Sequence, residues 1–147
     1  QRAAPWRAAT AAALAMALGL ALFAVRLPLL QERDAAPRLV LLAPQAALAG
    51  GQNARFVASL SADGTALVLR PLQALDLGGQ RTLELWALPV HGAPRSLGLL
   101  ALQGTTTVRR PALLRDAQAI AVSVEPAGGS PTGAPTGPVV SLGRLAG

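Results

Sequence analysis

The chain offers few residues with which to do chemistry. His91 is the single histidine, cysteine is absent, and all 13 basic residues are arginines. A lysine nucleophile, a thiolate and a cysteine metal site are therefore excluded. His91 lies in "VHGAP", a turn sequence with no carboxylate beside it, and reads as a surface histidine. Ser96, Ser123 and Ser141 have no G-x-S-x-G setting, and only His91 is available as a base for them.

The carboxylates are Glu32, Asp34, Asp63, Asp76, Glu84, Asp116 and Glu125. Asp63 belongs to a turn, and Glu32 and Asp34 to a polar stretch. Glu84 shares a strand face with Trp86 and reads as an arginine-paired sheet residue rather than a general acid or base. Glu125 precedes Pro126 at a strand exit, where its carboxylate is placed to accept N–H bonds from the loop that follows. "AGGSPTG" has glycines, but it lacks the G-K-[ST] ending of a phosphate loop and no helix follows it. No catalytic, metal or cofactor-binding residue is expected, and the chain reads as a non-enzyme that needs no cofactor.

The elements that position these residues are short. From Leu39 onward, apolar runs of strand length alternate with turn residues. They are "RLVLLA" (Arg38–Ala43), "ARFVASL" (Ala54–Leu60), "ALVLR" (Ala66–Arg70), "TLELWALPV" (Thr82–Val90), "RSLGLLAL" (Arg95–Leu102), "TTTVRR" (Thr105–Arg110) and "AIAVSV" (Ala119–Val124). Asp63-Gly64 and "HGAP" predict hairpins. "PALLRDAQ" (Pro111–Gln118) is expected to make one helical turn with Pro at its start. In "AIAVSV" the large residues Ile120, Val122 and Val124 point one way, toward the core. Ala119, Ala121 and Ser123 point the other way, under a second layer or to the surface. Without a βα alternation, the expected fold is an antiparallel β-sandwich of seven to eight strands over residues 39–147.

The segment "VEPAGGSPTGAPTGPVV" (Val124–Val140) has the composition of a linker. Little follows it, however, and "PVVSL" can return as a closing strand. The expectation is an ordered loop from Pro126 to Pro138, braced by proline and glycine.

The N-terminal part has a different character. Ala8–Val25 is an uncharged stretch of 18 residues between Arg7 and Arg26. As a helix it would be about 27 Å long, close to the hydrocarbon thickness. Residues 8–30 are therefore read as a single transmembrane helix, with 1–7 as its flank and 31–38 as a stalk. The run lacks the clean cleavage site of a signal peptide, and its want of any polar face sets it apart from a buried core helix. Arginines on both sides leave its orientation unset.

Hydrophobic residues make up 52% of the chain and charged residues 14%, which excludes wholesale disorder. The net charge of +6 raises the question of nucleic acid. The arginines are scattered, though, and stacking aromatics are nearly absent, so no nucleic-acid partner is expected.

Two stretches carry more than composition. "LELWALPVHGAPRSLGLL" (Leu83–Leu100) and "AIAVSVEPAGGSPTGAPTGPVV" (Ala119–Val140) together resemble the C-terminal domain of the anti-sigma-K factor family. The matching residues are Glu84, Leu85, Trp86, Pro89, Gly92, Pro94, Ser96, Leu97 and Gly98 in the first stretch. In the second they are Ser123, Glu125, Pro126, Gly128, Gly129, Ser130, Pro131, Gly137 and Pro138, and a structural role is expected for all of them. The resemblance implies a membrane-anchored regulator of an extracytoplasmic-function sigma factor, with the β domain outside the membrane. It implies a sigma factor as partner through a clamping domain expected before Gln1, membrane lipid as partner through residues 8–30, and control by membrane proteases. A membrane-tethered or secreted β-sandwich that binds a ligand or envelope component is the alternative.

Overall fold

The computed structural model describes residues 37–48 and 51–145, together with Ala21, which is helical. The flank, the expected span 8–30 apart from Ala21, and the stalk up to residue 36 lie outside the described residues. No helix among the described residues is long and apolar enough to cross a membrane.

Eight strands follow in order: β1 (Arg38–Pro44), β2 (Phe56–Leu60), β3 (Ala66–Pro71), β4 (Arg81–Pro89), β5 (Arg95–Leu100), β6 (Thr106–Arg109), β7 (Ala117–Pro126) and β8 (Val139–Arg144). The all-β, antiparallel expectation holds, and the eighth strand is the predicted return of "PVVSL". Every pairing is antiparallel. The strands form one sheet in the order β5-β4-β7-β8-β1-β2-β3-β6. The end strands β5 and β6 approach each other, so the sheet curls nearly into a barrel. It is continuous because β1 serves both halves. Arg38–Leu42 pair with β2, whereas Ala43 and Pro44 pair with β8. Alternation in sequence reports which face a residue takes, and it is the same whether two sheets stack or one sheet coils.

The interior is filled by one face of each strand. Val40 and Leu42 of β1, Phe56 and Ala58 of β2, Leu67 and Leu69 of β3, and Leu83 and Leu85 of β4 alternate into it. Ile120, Val122 and Val124 of β7 join them, as their spacing predicts. The opposite face of β7 is buried too: Ala121, Ser123 and Glu125 are at most 1% exposed. β7 therefore lies between the core and a second layer.

Both predicted hairpins form. In the β2–β3 turn the Asp63 carboxylate accepts bonds from the Ser61 and Thr65 hydroxyls and from the Thr65 amide. The Ser61 hydroxyl bond leads these influences, and together they hold the carboxyl below its ordinary value of 3.8. In the β4–β5 pair the register shifts between Leu85 and Trp86, opposite Gly98 at φ 120°. This is a bulge that needs glycine's freedom.

The helical turn expected in "PALLRDAQ" does not form. Ala112 and Asp116 have φ of 50° and 60°, which breaks any helical run. Residues 111–116 instead make successive tight turns, closed by Arg115 N–H to Ala112 C=O and Ala117 N–H to Leu114 C=O. Leu113 is thereby buried in the core, and β7 begins at Ala117.

β8 reaches the core beside β1 by omitting a side chain. A Cβ on Gly143 would lie 2.8 Å from Val40 Cγ1 and 2.9 Å from Leu42 Cγ. Gly143→Ala is expected to destabilise the protein by about 1–3 kcal/mol through overpacking, read from denaturant unfolding of the whole chain. An unchanged midpoint would mean that β8 does not sit against β1 as described.

Candidate functional site

The residues able to do chemistry are dispersed. His91 is exposed in the β4–β5 turn, whereas Ser123 and Ser141 are fully buried. The Ser141 hydroxyl donates to the Ala43 carbonyl. Among the described residues no three His, Cys, Asp or Glu side chains cluster as metal ligands would.

The structure does assemble polar residues on the outer face of β4, β5 and β7. Glu84 lies opposite Ser123, Trp86 opposite Ala121, and Thr82 opposite Glu125. Trp86 is fully buried here, outside the main core, and its indole N–H donates to Ser123 Oγ at 2.8 Å. That hydroxyl in turn donates to Glu125 Oε1. The Ser96 hydroxyl donates to Glu84 Oε1. The arginine partner expected for Glu84 is replaced by this hydroxyl and by the Ser130 amide, which donates to Oε2 at 2.7 Å.

The loop Pro126–Pro138 covers this face and supplies the remaining donors. Thr136 N–H lies 3.0 Å from Glu125 Oε1 and 3.2 Å from Oε2, and Gly137 N–H lies 3.3 Å from Oε1. The Thr136 hydroxyl donates to Oε2. The expected capture of Glu125 by the following loop is therefore present. Between these anchors the loop bonds to itself, with the hydroxyls of Ser130 and Thr132 both donating to Ala134 C=O. Val124 N–H donates to Pro138 C=O at 3.0 Å, returning the chain to the sheet. Two glycines permit the close approach. A Cβ on Gly129, at φ 99°, would meet Glu84 Oε2 at 3.0 Å, and one on Gly137 would meet the Val124 carbonyl oxygen at 1.7 Å.

Among the described residues no buried side-chain nitrogen or oxygen lacks a hydrogen-bond partner. Burial is the largest single influence on Glu125 and pushes its carboxyl up. The bonds from Ser123, Thr136 and Gly137 together outweigh it and hold the group below its ordinary value of 4.5. Such a carboxylate is a fixed anion that locks a loop, unlike the poised base of an acid–base site.

The family model for the anti-sigma-K factor RskA, C-terminal, matches residues 6–139. The chain belongs to this RskA C-terminal family. No curated protein and no solved structure matches it. Of the residues that carried the resemblance, the fold brings Glu84, Trp86, Ser96, Ser123, Glu125, Gly129, Ser130 and Gly137 together in the loop-covered layer. Leu85 and Leu97 face the core. Pro89 ends β4, Gly92 (φ 99°) and Pro94 shape the β4–β5 turn, and Gly98 sits at the bulge. Pro126 ends β7, and Gly128 (φ 94°), Pro131 and Pro138 set the course of the loop. Thr136 begins the "TGP" of the resemblance, but its role as a donor to Glu125 was not assigned from sequence. Its position just before Gly137-Pro138, facing back toward a glutamate at a strand exit, is the signal that marks it.

Glu125→Gln is expected to cost about 1.5–3 kcal/mol, because bonds to a charged acceptor are replaced by weaker ones. It also alters the acid limb. The folded carboxyl titrates below the unfolded one, so its stabilisation is full above pH 4.5 and is lost as pH falls through the lower folded value. Urea midpoints measured across acid pH should fall less steeply in the variant. Parallel profiles would show that Glu125 is not the titrating anchor.

Proposed function

We propose that the chain is the extracytoplasmic domain and membrane span of an anti-sigma factor, a non-enzymatic regulator of an extracytoplasmic-function sigma factor. The observation that carries this is the family match, which begins at residue 6 and so takes in the uncharged run as well as the β domain. On this reading residues 8–30 cross the membrane and 31–38 form a stalk. Residues 1–7 lie on the cytoplasmic side, and the β domain lies outside. The sigma factor is held by another part of the protein, because on this reading the β domain lies across the membrane from it. Release of the sigma factor follows proteolysis of the chain. The Ala-rich span, with Thr10 and Gly19 and few large residues, suits cleavage within the membrane.

The rival, a tethered β module that binds an apolar ligand, has one feature in its favour. A cleft lined by Val40, Leu60, Leu114, Ala117 and Leu145 opens where β1 begins, with Arg38 at its wall. Saturable binding of a small apolar molecule there would favour it.

Two outcomes are expected. A sigma factor co-purifies with the full-length gene product but not with residues 36–147, and an export-dependent reporter enzyme fused after Leu145 is active. Capture of the sigma factor by residues 36–147 alone, or an inactive reporter, would reject the reading. Replacing the alanines among residues 11–15 with leucine should slow signal-induced cleavage, followed by immunoblot of the fragments. Unchanged cleavage would remove the intramembrane step.

A further inference from the structure

The outer face of β1, β2, β3 and β6 is open to solvent where that of β4 and β7 is sealed. β1 alternates Val40 and Leu42 inward with Leu39 and Leu41 outward, the latter two 74% and 67% exposed. Leu72, which continues the alternation of β3, is 56% exposed. The register gathers them on one surface. Leu39 lies opposite Ser59, which faces Val68 across β3, and Leu41 lies opposite Val57, which faces Arg70. Leu72 N–H donates to the Arg55 carbonyl, which sets those two side by side at the next rung. Arg109 of β6 lies opposite Ala66 on the same face. β1, β2, β3 and β6 contain no Asp or Glu. The nearby β2–β3 turn has Asp63, whose carboxylate is occupied by Ser61 and Thr65.

We propose that this face docks on the surface of an anionic lipid bilayer, its leucines entering the headgroup–acyl boundary and Arg55, Arg70 and Arg109 meeting phosphates. The combination of exposed large apolar side chains with one sign of charge selects this occupant. A second copy of the chain fits poorly. A two-fold contact sets the same patch against itself, and this patch offers arginine to arginine with no carboxylate to pair. The inference rests on the anchored reading above. On that reading residues 31–37 link the span to β1 and reach at most about 25 Å when extended, so a tethered domain remains close to the headgroups.

The test uses the whole chain, which has no cysteine of its own. Single fluorophores are placed through Leu41→Cys, Val90→Cys and Ala15→Cys, and the protein is reconstituted in vesicles of phosphatidylcholine with or without phosphatidylglycerol. With the anionic lipid, the label at position 41 should be quenched by a lipid-borne nitroxide and shielded from aqueous iodide. The label at position 90, in the exposed β4–β5 turn, should remain open to iodide. Replacing Arg55, Arg70 or Arg109 with glutamine should lower the docked fraction relative to undocked about fivefold each, and added salt should act in the same direction. Equal iodide access at positions 41 and 90 on anionic vesicles would overturn the proposal. So would cross-linking of two Leu41→Cys chains, the mark of a second copy on this face. The label at position 15 reports insertion separately: if it is not quenched from the lipid the anchored reading fails, while position 41 still decides whether the face binds the bilayer.

Discussion

Two buried carboxylates govern this domain. Taking an ionised carboxylate out of water costs several kcal/mol unless donors replace its hydration. Glu84 and Glu125 are 6% and 1% exposed on the outer face of a sheet whose inner face is already core. Sheet amides cannot serve them, because those are spent on neighbouring strands. The donors come instead from hydroxyls on adjacent strands and from amides of the Pro126–Pro138 loop. The loop is thus tied down by electrostatics as much as by apolar contact. Ordering it costs roughly 1–2 kcal/mol of backbone entropy per residue. Pro126, Pro131, Pro135 and Pro138 lower that cost by restricting the unfolded chain in advance. A segment with the composition of a linker is therefore an ordered second layer.

The same arrangement explains why this layer needs its particular small residues. Trp86 is sealed beneath the loop and needs a partner for its indole N–H, which Ser123 supplies while donating its own hydroxyl hydrogen bond to Glu125 Oε1. A hydroxyl that both accepts and donates can link an indole to a carboxylate; alanine would leave both ends short. Gly137 lets the returning chain lie against the Val124 carbonyl, and from there Val139 enters β8. The position of β8 between β7 and β1 therefore depends on the loop being locked.

How much of this was legible in sequence followed the range of each interaction. Strand positions and both hairpins were legible, because alternation and turn residues are local signals. The loop's capture of Glu125 was legible too, since its partners Thr136 and Gly137 follow 11 and 12 residues later in the same segment. Glu84 was misassigned to an arginine because its loop donor, Ser130, is 46 residues away. No strand pattern encodes that meeting. The coiling into one sheet was hidden because it turns on β1 changing partner at Ala43. The turns of residues 111–116 defeated a proline-led helix signal through two non-glycine residues at positive φ.

β1 shows a further limit of pattern reading. In "RLVLLA" every residue after the arginine is apolar, so nothing in the string separates an inner from an outer face. Only the fold reveals that Leu39 and Leu41 point away from the core while Val40 and Leu42 fill it. The two outer faces of the sheet then have opposite characters for connected reasons. Glu84 and Glu125 are committed to hydroxyl and amide donors inside the sealed layer. They cannot act as surface partners for the arginines of the open face. A chain with 13 basic and 7 acidic residues is in this way left with a leucine-bearing surface whose strands hold only positive charge. The internal lock on one side of the sheet sharpens the electrostatic character of the other.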